Sequence, residues 1–240
     1  MENEIIIDRE STIGASSMAK TFMSNVFAYM FMALMISAGF AWWFGTSDLF
    51  YSLVNPETGS MSILGWIVTL APLGFILLMN FRFEKLSSSS LLTLFIAFAG
   101  IMGISLSFIF RVYDISFIAL TFAITAGTFG VMAVIGYTTS TDLTKFGSIL
   151  MMAVIGIIIA SVVNMFVGSS TFDYIISALG VLIFTGLVAY DTQRLKRIGM
   201  GVEYGSALAS KLAIMGATSL YLDFVNLFLF LLRFLGGGRD

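Results

Sequence analysis

The sequence contains neither histidine nor cysteine in its 240 residues. Without them the chain has no His-based general base, no zinc site of the ordinary nitrogen and sulfur type, and no disulfide framework. Histidine is also the side chain that ordinarily titrates near neutral pH. Any proton sensing therefore falls to a carboxylate or a lysine in an unusual environment.

Charge is scarce as well: only 11% of the residues are charged, and the formal net charge is −2. This excludes a soluble globular domain, in which about a quarter of the residues are charged, and it provides no basic surface for nucleic acid. What the chain has instead is apolar, with 58% hydrophobic residues and a mean hydropathy of +0.99. These values predict an integral membrane protein whose main surroundings are the lipid bilayer, with no cofactor of its own.

Seven apolar runs have about the length that crosses a bilayer as a helix. They are Phe22–Phe44, Met61–Phe81, Leu91–Phe110, Ser116–Tyr137, Ile149–Val167, Tyr174–Tyr190 and Leu208–Leu235. Helices are expected because they satisfy every backbone hydrogen bond within the span, and the runs lack the alternation of a barrel strand. The predicted fold is all-α with seven transmembrane helices, and small residues four apart, such as Ala123 and Gly127 or Gly156 and Ala160, favour close helix packing.

The ends of the chain predict short tails on either side of this domain. The first residues are acidic and lack the basic start and cleavage site of a secretory signal, so we expect a cytoplasmic tail over 1–21. The transmembrane domain is predicted at 22–236 and a C-terminal tail at 237–240.

The distribution of basic residues predicts the orientation. With the N-terminus inside, nine basic residues lie on the inner side, namely Arg9, Lys20, Arg82, Lys85, Lys145, Arg194, Lys196, Arg197 and Lys211. The outer side then holds three, Arg111, Arg233 and Arg239. Positively charged residues concentrate on the cytoplasmic side, which favours the N-terminus inside and the C-terminus outside.

Asp223 is the carboxylate most out of place, because it lies within the last apolar run. A charge at the centre of a bilayer costs about 2.5–3.5 kcal/mol on insertion scales, so such residues usually face protein or water and have a function. Asn226, three residues further on, is predicted to be a supporting polar group on the same helix face.

Asp191 directly follows the sixth apolar run, and it has two interpretations. Taken alone, it resembles a solvated helix end three residues before Arg194. Together with Asp223 it predicts a carboxyl pair that shares a proton, a device for sensing pH without histidine. Contact between the two requires a tilted helix or a seventh helix that begins inside the cytoplasm. Arg82, on the same predicted side, is a candidate partner.

At these residues the chain resembles the Bax inhibitor family of seven-span membrane proteins, in its bacterial branch. Two strings carry most of the resemblance, Tyr190-Asp191-Thr192-Gln193 and the run from Leu220 to Phe228 with Leu231-Leu232-Arg233 after it. Further matches are Gly103-Ile104-Ser105-Leu106-Ser107, Phe129-Gly130, Gly136-Tyr137-Thr138-Thr139 and Asp142-Leu143. One departure is Leu70-Ala71-Pro72, where some relatives carry an acidic residue.

The resemblance implies a bundle in which the last helix is central and surrounded by the other six. It implies a pH-sensitive calcium leak through a bacterial cytoplasmic membrane, with Asp191 and Asp223 as the sensor and as ligands along the calcium pathway. Arg82 would bind one of the aspartates in a closed state. Carboxylates suit calcium, a hard cation.

Two other functions remain open at this point. The chain could be a regulatory membrane protein that binds a membrane protease, as some bacterial relatives are thought to do. It could also be an intramembrane aspartyl protease, in which two carboxyls activate water. The second is disfavoured because Leu220-Tyr221-Leu222 replaces the Gly-x-Gly before the second aspartate and no Pro-Ala-Leu string follows. We therefore expect no enzymatic activity.

Overall fold

Seven long helices make up most of the chain. The computed structural model describes residues 2–55, 57–203 and 205–236, with side chains described from Ser17 onward. The helices are α1 (Glu2–Thr46), α2 (Ile63–Phe81), α3 (Ser88–Leu106), α4 (Ile115–Thr138), α5 (Thr144–Val167), α6 (Ser170–Gly201) and α7 (Ala207–Gly236). Between them lie a 3-10 helix (Asp48–Ser52) and a single helical turn (Ile109–Val112).

All seven helices are long and apolar enough to cross a membrane, and the chain is an integral membrane protein. This confirms the predicted all-α class and the seven predicted spans. Their apolar windows have mean hydropathies from 1.6 to 2.6, and in lipid such sequences must satisfy their backbone groups within the helix.

Local sequence sets several helix ends. The Ser62 and Ser87 hydroxyls accept hydrogen bonds from the backbone amides of Gly65 and Ser90, each at 3.1 Å, and so cap α2 and α3. The C-terminal end of α5 is set by Gly168, which adopts φ +67°, the left-handed conformation that commonly terminates a helix.

The structure describes the backbone of the predicted N-terminal tail from Glu2. The backbone of α1 is helical from Glu2, so this helix includes nearly all of the predicted tail. The boundary between residues 21 and 22 stays a prediction. The predicted C-terminal tail, 237–240, lies outside the described residues.

The chain divides into two compact units. The first contains the start of α1, then α4 from Ser116, α5, α6 and the part of α7 that begins at Ser219. The second contains the rest of α1, the helices α2 and α3, and the start of α7.

The first unit packs α5, α6 and α7 around one apolar core. Its buried members are Leu150, Ile157, Ile176, Ile183, Phe184, Leu187, Leu227, Phe230 and Leu231. Phe184 of α6 stacks on Phe230 of α7 with 5.6 Å between ring centroids. Because lipid is as apolar as these side chains, close packing rather than escape from water holds the helices together.

The same unit is fastened near the start of α6 and the end of α7. Arg233 Nη1 lies 3.3 Å from Asp173 Oδ1, and the Tyr174 ring stacks on Phe234 at 4.8 Å. Both contacts join α6 to α7, so this end of the helix pair is held by an ion pair and an aromatic pair together.

In the second unit, α1 and α3 approach closely. The Ser37 hydroxyl donates to the Ala99 carbonyl at 2.7 Å, and both groups are buried. A Cβ added at Gly103 would lie 2.8 Å from the Cα of Ser37, so only glycine fits there without displacement. Gly103 belongs to one of the strings that carry the family resemblance.

The last helix is the most buried of the seven spans. In its apolar window 72% of the residues are buried, compared with 17–44% in the other six. A helix with so little exposed surface can hold polar side chains that a lipid-facing helix could not. Its central position among the other six stays a prediction.

Candidate functional site

Asp191 lies inside α6, and it is not at the end of that helix. The helix continues to Gly201, and Asp191, Thr192 and Gln193 are respectively 7%, 0% and 6% exposed. The interpretation of Asp191 as a solvated helix end is therefore wrong. The apolar run ends at Tyr190, yet the helix extends further because the polar residues after it find partners within the fold.

Asp191 is bound from two directions. The Ser219 hydroxyl of α7 donates a hydrogen bond to Asp191 Oδ2 at 2.6 Å. On its own helix, Arg194 Nη1 lies 3.6 Å from Asp191 Oδ1. The first contact is a hydrogen bond between two helices, and the second is an ion pair within α6.

Asp223 lies one helical turn beyond Ser219 on the same face of α7. It is 6% exposed, and the carboxyl of Asp191 lies close enough to act on it as a neighbouring charge. Its Oδ2 atom is buried and has no hydrogen-bond partner among the described residues. The structure thus brings together the two carboxyls that the sequence singles out.

A hydrogen bond between these carboxyls requires a proton. Two ionised carboxylates are acceptors only, and one of them must be protonated to donate. The pair is therefore suited to hold one proton between two oxygen atoms, and loss of that proton leaves two like charges side by side.

The length of α6 explains how the two carboxyls reach the same depth. Asp191 lies ten residues before the end of α6 at Gly201, and Ser219 lies twelve residues after the start of α7 at Ala207. At 1.5 Å per residue these distances are about 15 and 18 Å. The two site residues therefore lie at similar distances from the connection between α6 and α7, and whether α7 begins in the cytoplasm stays a prediction.

The other two predicted site residues, Arg82 and Asn226, have these positions in their own helices. Arg82 is the C-cap of α2 and its side chain is exposed. The Asn226 amide donates to the Leu222 carbonyl of its own helix at 2.8 Å. Their roles toward the aspartates stay predictions.

Ser219 is the site residue that the sequence analysis missed. Asn226, three residues after Asp223, was predicted as the supporting polar group, whereas the hydroxyl of Ser219 lies four residues before Asp223. The (i, i+4) spacing on a helix was a sufficient signal.

A second polar network lies on the opposite face of α6. Gln193 Nε2 donates to the Thr141 carbonyl at 2.8 Å, and its Oε1 accepts from the Leu143 amide at 2.9 Å. Arg197 Nη2 lies 2.7 Å from Asp142 Oδ1 and 2.8 Å from Gln193 Oε1. We call these contacts the loop anchor, meaning the bonds that join Gln193 and Arg197 to residues 141–144.

Within the loop anchor Asp142 is firmly ionised. The Thr144 hydroxyl donates to it at 2.6 Å, and Arg197 and the Thr144 amide add further bonds. These donors hold the pKa of Asp142 well below its usual value. It is therefore charged across the neutral range and is no sensor of neutral pH.

A cavity of about 320 Å³ opens beside the loop anchor. Its lining consists of Thr144, Tyr190, Gln193, Arg194, Arg197 and Ile198. Arg194 is half-exposed here while its guanidinium also touches Asp191. The cavity thus brings solvent to one of the two groups that bind Asp191.

No group of three or more acidic side chains that could hold a metal ion occurs among the described residues. Resident calcium sites use six to eight oxygen ligands, often from several carboxylates. Two carboxyls and a serine hydroxyl offer fewer oxygen ligands than such a site uses.

Comparison with known proteins places this geometry in a family. The family model described as "Inhibitor of apoptosis-promoting Bax1" matches residues 19–240. The chain belongs to this Bax inhibitor family. The match spans all seven helices, so the aspartate-bearing helices α6 and α7 lie within the matched region, and the resemblance seen in the sequence is confirmed.

Several bacterial proteins match the chain over nearly their whole length. An uncharacterized protein of Borreliella burgdorferi is 43% identical over 91% of this chain and 93% of its own. Inner membrane protein YbhL of Escherichia coli K12 is 39% identical over 92% of this chain and 93% of its own. The uncharacterized protein RP147 of Rickettsia prowazekii is 39% identical over 98% of this chain and 100% of its own.

Proposed function

We propose that this member of the Bax inhibitor family is a pH-sensitive calcium leak channel or channel-like transporter, gated by the Asp191–Asp223 pair. The observation that carries the proposal is a buried carboxyl pair on two adjoining membrane-spanning helices, with Ser219 bound to one of its members. In a chain without histidine, such a pair is the strongest candidate for sensing protons.

The pair supplies a switch with a sufficient driving force. With one shared proton the carboxyls attract each other through a hydrogen bond. Without it, two unit charges about 4 Å apart repel by roughly 4 kcal/mol at an effective dielectric constant of 20. That energy matches the few kcal/mol that separate two conformations of a protein. Deprotonation would therefore favour an arrangement in which α6 and α7 part at this level.

The same carboxylates would supply oxygen ligands to a cation once they separate. Calcium binds carboxylate and hydroxyl oxygens readily, and a pathway with few ligands lets the ion leave again. We place the protein in a bacterial cytoplasmic membrane, with its N-terminus inside and its C-terminus outside. YbhL, a relative, is named as an inner membrane protein, and the distribution of basic residues favours this orientation.

Calcium flux into proteoliposomes tests the proposal. Wild type, D191N and D223N would be compared over a series of pH values, with an ionophore to verify that each preparation is sealed. Each substitution removes one titrating carboxyl and keeps the shape of the side chain, so we expect the pH dependence of the flux to be abolished or flattened in both.

D173N is the matched control. Asp173 lies on the same helix but pairs with Arg233 away from the site, so its loss should leave the pH dependence unchanged. Unchanged pH dependence in D223N would contradict the gate. A wild-type protein that passes no calcium at any pH would overturn the channel itself and favour a regulatory protein that binds a membrane protease.

A further inference from the structure

The loop anchor lies on the face of α6 opposite to Asp191. Successive residues advance by about 100° around a helix, so Gln193 lies about 200° from Asp191. Arg197 is four residues beyond Gln193 and shares its face. Asp191 thus faces Ser219 on α7, while Gln193 and Arg197 face the connection between α4 and α5.

Gln193 is well suited to fix the position of this connection. It is only 6% exposed, and both ends of its amide bind backbone groups of the loop, the Thr141 carbonyl and the Leu143 amide. Backbone atoms cannot rotate away as side chains do. A rotation of α6 that carried Asp191 away from Ser219 would break both bonds.

Arg197 adds an ion pair to the hydrogen bonds of Gln193. Its guanidinium bonds Asp142 at 2.7 Å and Thr144 Oγ1 at 3.1 Å, and it also bonds Gln193 Oε1. One residue before it, the Lys196 ammonium donates to the Tyr137 carbonyl at 2.8 Å. Three side chains within little more than one turn of α6 therefore tie this segment to the end of α4 and the start of α5.

We propose that Gln193 and Arg197 are positioning residues that fix the rotation of α6 and thereby hold Asp191 against Ser219 and Asp223. This inference rests on the proposed function for its physiological meaning. The charged groups that face Asp191 are Asp223 from α7 and Arg194 from its own helix. The loop anchor touches neither of them, and it acts through the orientation of α6.

The test uses the full-length protein in liposomes and two readouts. The first is the midpoint of the pH-dependent calcium flux. The second is infrared difference spectroscopy, in which the carbonyl stretch of a protonated carboxyl is followed through a pH titration and assigned by its loss in D191N and D223N. The second readout reports the carboxyl pair whether or not the protein conducts calcium.

The variants remove the loop anchor without altering the pair. Q193M keeps the length of the side chain but loses its amide, and R197Q loses the guanidinium. We expect each to move both midpoints by about half a pH unit or more, since one net hydrogen bond is worth a fraction of a unit to a full unit. R197K, which keeps the charge without the planar fork, should fall between wild type and R197Q.

K145Q is the matched control, because Lys145 lies one residue past Thr144 and is exposed. It removes the same charge from the same region without touching Gln193 or Asp142. D142N should reproduce R197Q, and the double variant should be no more severe than either, as residues in one contact require.

The outcomes separate this inference from the proposed function. Midpoints unchanged in both Q193M and R197Q, or shifted equally in K145Q, would overturn the positioning role. If wild type passes no calcium but its infrared midpoint moves in Q193M and R197Q, the channel is overturned and the positioning role stands. R197K that titrates like wild type would assign the effect to charge alone and refute positioning by the planar fork.

Discussion

Replacing Ser219 by alanine removes one hydroxyl from the site and leaves both carboxyls in place. That hydroxyl donates to Asp191 Oδ2 at 2.6 Å. A hydrogen bond to a charged group is worth about 1.5–3 kcal/mol, and we take the lower value because Ser219 is only part-buried. At 1.36 kcal/mol per pH unit, its loss predicts an upward shift of about one unit in the midpoint of the proposed pH-dependent flux.

The assay is calcium flux into proteoliposomes, with each variant normalised to its own maximum so that only the midpoint is compared. S210A is the matched control, since the Ser210 hydroxyl lies on the same helix and bonds a carbonyl of its own turn, Ser206, at 3.3 Å. We expect S219A to move the midpoint upward and S210A to leave it in place. A midpoint that stays at the wild-type value in S219A, or that falls, would refute the role assigned to this hydrogen bond.

Two further predictions concern stability. D142N should melt at a lower temperature than wild type at neutral pH and at the same temperature in strong acid. The reason is that the pKa of Asp142 is lowered in the folded protein, so its contribution to stability is present above its usual pKa and is lost as the pH falls through the lowered value. Thermal unfolding in detergent over a pH series measures this, and a difference that persists in strong acid would contradict it. G136A should destabilise by about 1–3 kcal/mol because an added Cβ would overlap the Ala189 backbone, whereas G130A, where an added Cβ meets nothing within 4 Å, should stabilise the helix by about 1 kcal/mol; unfolding measurements that rank the two alike would contradict this packing.

The fold was predictable because a bilayer imposes strong rules on sequence. Seven apolar runs gave seven helices, and two carboxylates in polar-poor surroundings indicated the pair. Hydropathy ended the sixth span at Tyr190, whereas α6 continues to Gly201. The extension depends on bonds from Gln193 and Arg197 to residues about fifty positions earlier. Hydropathy is a local property and carries no information about such partners.

The sequence also did not predict, for most helices, which face packs against a neighbouring helix. Spacing of small residues favoured close packing at Gly127 and Gly156, yet a Cβ added at either would meet nothing within 4 Å. Close approach does occur at Gly103, against Ser37, where Ala99 and Gly103 have the same spacing of small residues. It also occurs at Gly136, against Ala189, and at Gly147, against the Tyr190 ring. Which of them faces a neighbour depends on contacts of the whole helix rather than on spacing.

The ion pair between Asp173 and Arg233 has a consequence for how far the helices need to travel. It fastens α6 to α7 eighteen residues before Asp191, about 27 Å away along the helix axis. Helix shifts in switching proteins are typically about 1–2 Å. The Tyr174–Phe234 stack holds the same end of the helix pair and would remain in D173N. With that end held, parting the carboxyls by about 2 Å would tilt one helix against the other by only roughly 4°. Under the proposed gate, the carboxyl end of the helix pair would open while the aromatic packing at the other end stays closed, so opening would not require repacking of the core.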